Sequence, residues 1–111
     1  MSVSDEYLDF VMDQFEGMGE LRAKRMFGGV GIYCDGWVFA ILADDELYLK
    51  ADDVNRADYE RQGLKPFTYR MKNGRSGSMS YYPLPAGLLD EKEELMEWSR
   101  KSIDAARRAK I

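Results

Sequence analysis

The chain has 111 residues, 45% of them hydrophobic, and a net charge of −4, which is enough apolar material for one folded core and too much for disorder. Its acidic start, Met1-Ser2-Val3-Ser4-Asp5-Glu6, lacks the basic-then-apolar pattern of a secretory peptide, and its longest apolar stretch, 37–43, is far too short to cross a bilayer. One cysteine, Cys34, and no histidine exclude an internal disulfide framework, His-dependent nucleophilic catalysis and the commonest transition-metal ligand.

Taken in chain order, residues 4–16 read as a helix. Leu8, Val11, Met12 and Phe15 recur at helical spacing, Ser4 suits the N-cap, and Gly17-Met18-Gly19 ends the pattern. A strand follows from Leu21 to Phe27, with Leu21 and Ala23 alternating with Arg22 and Lys24, and Gly28-Gly29 breaks it. Val30–Cys34 and Trp37–Leu42 flank Asp35-Gly36, a pair suited to the positive φ angles of a type I′ turn. The second of these strands is apolar on both faces, as a central strand should be. Asp44-Asp45 then turns the chain into 46–50.

Asp52 or Asp53 is expected to cap a short helix through Gln62, with Gly63 at its C′ position. A strand from Phe67 to Lys72, a turn at Asn73-Gly74 and a returning strand from Ser76 to Tyr82 form a second hairpin. Asp90 and Glu93 resemble a capping box opening a last helix, whose buried stripe is Leu95, Trp98, Ser99, Ser102, Ile103 and Ala106. The order α, three or four strands, α, two strands, α predicts an α+β domain over 1–111. Its sheet is mostly antiparallel, of five to six strands, with helices on one face.

Three segments carry a family resemblance: Arg25-Met26-Phe27-Gly28-Gly29-Val30-Gly31-Ile32-Tyr33, the run 43–52 (Ala43 to Asp52), and Met79-Ser80-Tyr81-Tyr82-Pro83-Leu84-Pro85. In this order and spacing they resemble the N-terminal domain of the TfoX/Sxy family, bacterial regulators of competence for DNA uptake. The resemblance implies an α/β sandwich like that of secretion chaperones. It also implies a role near transcriptional activation of competence genes, through protein contacts with other regulators. Larger family members append a C-terminal domain, so the resemblance implies a stand-alone copy of the N-terminal one.

Several clusters carry groups with potential for chemistry. The glycines of 25–31 fit neither a Walker loop nor a dinucleotide fingerprint and read as a bend between strands. Asp44, Asp45, Glu46, Asp52 and Asp53 lack the spacing of a calcium loop and read as turn formers and helix caps. Cys34 has no base, and Asp35 beside it would raise its pKa. No catalytic residue, metal ligand or cofactor is assigned.

Two binding surfaces remain. Arg22, Lys24 and Arg25 on one strand, with Arg70, Lys72 and Arg75 around the second hairpin, would form a nucleic-acid or anion site if those strands lie close, aided by Tyr69, Tyr81 and Tyr82. The second surface follows from period-2 alternation. If Leu47, Leu49, Phe67, Tyr69, Met71, Met79 and Tyr81 face the helices, then Tyr48, Lys50, Thr68, Arg70, Ser78, Ser80 and Tyr82 face away. One set from the central strand, either Val38, Ala40 and Leu42 or Trp37, Phe39 and Ile41, must join that second face. Tyr48, Lys50, Arg70 and Tyr82 are its candidate partner-binding residues.

The expectation is therefore a non-enzymatic, cytoplasmic regulatory or adaptor domain. Its partner is a protein, such as a transcription regulator or a second copy of the chain, and not a membrane. A nucleic-acid-binding module on the basic strands is the first alternative, disfavoured by the net charge. A small-molecule site between sheet and last helix is the second.

Overall fold

The computed structural model describes residues 3–26, 29–70, 76–78 and 80–109. Helix α1 (Asp5–Gln14) begins where Ser4 Oγ accepts a hydrogen bond from Tyr7 N–H, satisfying one of the free amides of the first turn. Val11 and Phe15 carry its apolar stripe into the core, and the chain turns away through Gly17 at φ +99°.

Four consecutive antiparallel strands follow: β1 (Leu21–Met26), β2 (Gly29–Cys34), β3 (Trp37–Ala43) and β4 (Glu46–Lys50). Asp35 and Gly36 both have positive φ, as the type I′ turn requires. Asp44 and Asp45 do the same without glycine (φ 51° and 57°), and Asp45 Oδ1 accepts a hydrogen bond from Ser4 N–H, tying the turn to the start of α1. A fifth strand, β7 (Tyr81–Pro83), pairs with β4, so the sheet runs β1-β2-β3-β4-β7 with the all-apolar β3 at its centre.

Between β4 and β7 lie helix α2 (Arg56–Glu60) and a separate two-stranded hairpin of β5 (Thr68–Arg70) and β6 (Ser76–Ser78). The single returning strand expected over Ser76–Tyr82 is therefore divided. Its first part closes the hairpin, and after the bend at Ser80 its second part joins the main sheet. The turn expected at Asn73-Gly74 lies outside the described residues.

Helix α3 (Lys92–Ala109) lies across β3 and β4 and buries Leu95, Ser99, Ser102, Ala105 and Ala106, with Trp98 and Ile103 partly buried beside them. Small side chains on this stripe let the helix backbone approach the sheet closely. Phe15 meets Phe39 edge-on at 5.1 Å, and Tyr59 of α2 stacks on Tyr82 at 5.1 Å and meets Trp98 edge-on at 4.9 Å. All three helices thus share one core against one face of the sheet.

Two local expectations need correction. Asp90 ends a 3-10 turn (Leu88–Asp90), and α3 begins two residues later, with Glu91 C=O taking the first helical bond from Leu95 N–H. Asp52 does not cap α2: its carboxylate accepts from Val54 N–H and from Arg108 Nε (2.6 Å) and Nη2 (2.9 Å), clamping the end of α3 to the loop before α2. Asn55 stands at the start of α2, where its side chain braces the loop through Asp52 N–H and Lys50 C=O.

Candidate interaction face

Residues directly opposite one another in an antiparallel sheet share a face. The register therefore sorts each side chain to the helix side or the open side. Val30, Leu42 and Leu47 line up on the helix side, as do Ile32, Ala40, Leu49 and Tyr82. On the open side one row runs Lys24, Gly31, Ile41, Tyr48 and Pro83, and a second includes Arg22, Tyr33 and Val38, with Lys50 opposite Tyr81.

The central strand does not contribute either set of residues expected from simple alternation. A β-bulge skips Phe39: Ile32 pairs with Ala40 and Tyr33 with Val38. Phe39 and Ala40 are consequently both fully buried, while Val38 and Ile41 take the open side.

Tyr48 stands on the open face of β4, beside Ile41 of the central strand. Its ring meets that of Phe67 at 4.7 Å, and its hydroxyl donates to Glu46 Oε2 at 3.1 Å. Burial, followed by the Glu46 charge, pushes the phenol up to about 12, so it stays neutral and acts as a hydrogen-bonding apolar plate. Lys50 Nζ lies 5.0 Å from the Tyr81 ring centroid, a cation–π contact. Tyr81 is only 6% exposed and its pKa is raised by that burial. Tyr33, Val38, Ile41, Tyr48, Lys50 and Phe67 are all half-buried.

Of the expected partner-binding residues, Tyr48 and Lys50 are on this face. Tyr82 is not. It is 4% exposed and stacked on Tyr59 in the core, while Tyr81 takes the position expected for it. Strand β7 belongs to the main sheet and β6 to the separate hairpin, so alternation read straight through Ser76–Tyr82 does not carry from one to the other, and a one-residue change of phase exchanges the two faces. Arg70 pairs with Ser76 in the hairpin backbone.

The six-cation set is also divided. Arg22 and Lys24 are exposed on the open side of β1, next to Tyr33 and Gly31. Arg25 belongs to the opposite side, where Nη1 donates to Val3 C=O at 3.1 Å and the guanidinium pairs with Asp5 of α1. Lys72 and Arg75 lie outside the described residues. The hairpin bearing Arg70 is rooted at Phe67, whose N–H donates to Tyr81 C=O at 2.7 Å on β7. Strands β1 and β7 are opposite margins of a five-stranded sheet, about 19 Å apart at the usual strand spacing.

Tyr33 completes the face and has no role in the sequence reading, whereas Phe67 and Tyr81, expected to face the helices, lie on the open side against Tyr48 and Lys50, and Ile41 joins them without Trp37 or Phe39. A weak signal existed in the Gly31–Tyr33 alternation on β2, which sends both away from buried Val30, Ile32 and Cys34.

The remaining chemistry is sparse. Cys34 is 2% exposed, with Sγ 3.7 Å from Met18 C=O, and burial followed by Asp35 raises its thiol pKa, which disfavours the thiolate. Among the described residues no group of three or more Cys, Asp or Glu is placed to hold a metal ion. A surface hollow of about 350 Å³ is lined by Asp52, Asp53, Arg56, Pro66, Ser80 and Tyr82. The Arg56 guanidinium within it is already paired with Asp53 and Glu60. No helix among the described residues is long and apolar enough to cross a membrane.

The model of the TfoX N-terminal domain matches residues 13–106. Protein Sxy of Escherichia coli (strain K12) is 31% identical over 93 residues, covering 84% of this chain and 44% of that protein. The DNA transformation protein TfoX of Haemophilus influenzae is 30% identical over 91 residues (80% and 42%). The DNA transformation protein TfoX1 of Aliivibrio fischeri is 27% identical over 105 residues (88% and 48%). The chain spans less than half the length of these curated relatives.

Proposed function

The chain belongs to the TfoX N-terminal domain family, and we propose that it acts as a regulatory domain in the control of DNA uptake, working in the cytoplasm through contacts with another protein. The names of the relatives, two of them DNA transformation proteins, support the process. The observation that supports the mode of action is the open sheet face. Tyr33, Val38, Ile41, Tyr48 and Phe67 make an apolar, aromatic surface on the side away from all three helices. Tyrosines that bring wide contact area with few rotatable bonds are enriched at protein interfaces. The buried, base-less thiol adds no catalytic group to this reading.

The nucleic-acid reading has less support, because Arg25 is committed to α1 and the two basic segments start from opposite margins of the sheet.

Affinity capture from the native host, with the wild-type chain and a Tyr48→Ala variant as baits, tests the proposal. The variant should retain its native spectrum and lose at least about tenfold of specific partner recovery, the scale of one interface anchor. A deletion strain complemented with Tyr48→Ala should also take up DNA less efficiently than one carrying the wild type. Equal recovery and equal uptake would rule the face out.

A further inference from the structure

The two margins of the sheet are finished differently. On β7 the strand is three residues long, ends in Pro83, and has its Tyr81 carbonyl already bonded by Phe67 N–H. Strand β1 is six residues long, Arg22 to Arg25 are exposed, and no backbone hydrogen bond among the described residues reaches its outer edge.

The hairpin geometry fixes which groups that edge presents. Asp35 N–H donates to Glu20 C=O at 2.8 Å, so Glu20 turns its carbonyl toward β2. By antiparallel alternation, Arg22 and Lys24 direct their backbone groups inward too, and the N–H and C=O of Leu21, Ala23 and Arg25 point out. Meanwhile the Arg22 and Lys24 side chains stand on the open face, two residues apart, with no salt bridge among the described residues.

From this we infer that β1 is a docking edge for an extended, acidic segment of a partner protein, which adds as a sixth strand. Backbone groups at Leu21, Ala23 and Arg25 hold the segment, and carboxylates at alternate positions meet Arg22 and Lys24. The segment's intervening side chains fall beside Leu21 and Ala23, so acidic residues alternating with small or apolar ones fit best. A second copy of this chain does not fit. In each antiparallel register that pairs at least two of Leu21, Ala23 and Arg25 with those residues of the other copy, Arg22 or Lys24 lies across from Arg22 or Lys24, and like charges directly opposite are destabilising. The inference concerns the β1 edge and its two cations, and does not depend on the aromatic surface around Tyr48 or on DNA uptake.

The test uses the whole chain and a labelled hexapeptide alternating glutamate with valine or threonine, beside the same peptide N-methylated at alternate residues. Binding is read by fluorescence anisotropy at low salt and by amide hydrogen exchange. The unmodified peptide should bind and slow exchange at Leu21, Ala23 and Arg25. N-methylation should weaken binding by about tenfold or more, because two or three backbone bonds are lost.

Ala23→Pro removes an outward N–H that β2 does not use, an edge position where proline is tolerated, and should abolish binding. Arg22→Glu with Lys24→Glu should reverse the preference toward a lysine-alternating peptide, which keeps the test decisive should Ala23→Pro fail to fold. Equal binding of the methylated peptide, protection of the three amides by self-association alone, preference for a single-stranded oligonucleotide unaffected by Ala23→Pro, or no binding at low salt would each overturn the inference.

Discussion

The two faces of the five-stranded sheet are built from the same strands to opposite ends. On the helix side Val30, Ile32, Ala40, Leu42, Leu47, Leu49 and Tyr82 are all buried and packed against α1, α2 and α3. On the open side Tyr33, Val38, Ile41 and Tyr48 are half-buried, tyrosine-rich, and mixed with Lys50 and the cations of β1. Burial by the helices accounts for the first set. It does not account for apolar and aromatic side chains on the second, since polar residues there would serve folding equally well. The difference separates residues kept for stability from residues available for recognition.

The sharpest way to break that distinction is a pair of truncations. Tyr82→Ala empties a ring-sized space between Tyr59 and the sheet and should cost about 3–5 kcal/mol in urea unfolding. Ile41→Ala on the open side should cost about 1 kcal/mol, because most of its lost contact is with solvent-accessible neighbours. Equal losses would mean that both faces are core.

A smaller effect comes from the turn that joins the layers. Asp45→Ala removes the acceptor for Ser4 N–H and leaves a non-glycine residue at φ 57°, and should cost about 1 kcal/mol by thermal unfolding. Asp45→Asn should be close to neutral, since asparagine tolerates this backbone conformation.

The smallest effect is electrostatic. The Arg108 guanidinium beside Asp52 holds that carboxyl below its usual range. A depressed carboxylate pKa contributes stability above the unfolded-state value of about 4. That contribution is lost as pH falls through the lower folded value. Arg108→Ala should therefore destabilise slightly at neutral pH, by less than Asp45→Ala does, and the difference from wild type should vanish in acid. A difference that grows on acidification would contradict the pairing.

Much of the fold was readable because its signals are local. Leu8, Val11 and Phe15 mark α1, Asp35-Gly36 marks its hairpin, and the doubly apolar run 37–42 marks the central strand, each through neighbouring residues alone. The basic character of β1 was equally plain. Its division between Arg22 and Lys24 on one side and Arg25 on the other follows the same alternation once Leu21 and Ala23 are placed inward.

Residue order by itself determined the element types, the antiparallel hairpins and the absence of histidine-dependent chemistry. These depend on backbone preference and composition, which act within a few residues. Tertiary structure alone decided that Tyr82 and not Tyr81 joins the core, that the bulge at Phe39 splits the central strand's faces, and that Arg25 is spent on α1. The first two outcomes depend on the phase of a strand relative to a partner far along the chain, and the third on α1 packing beside β1, which brings Asp5 and Val3 C=O to Arg25. A change of sheet between β6 and β7, or one extra residue such as Phe39, removes that phase from the local pattern.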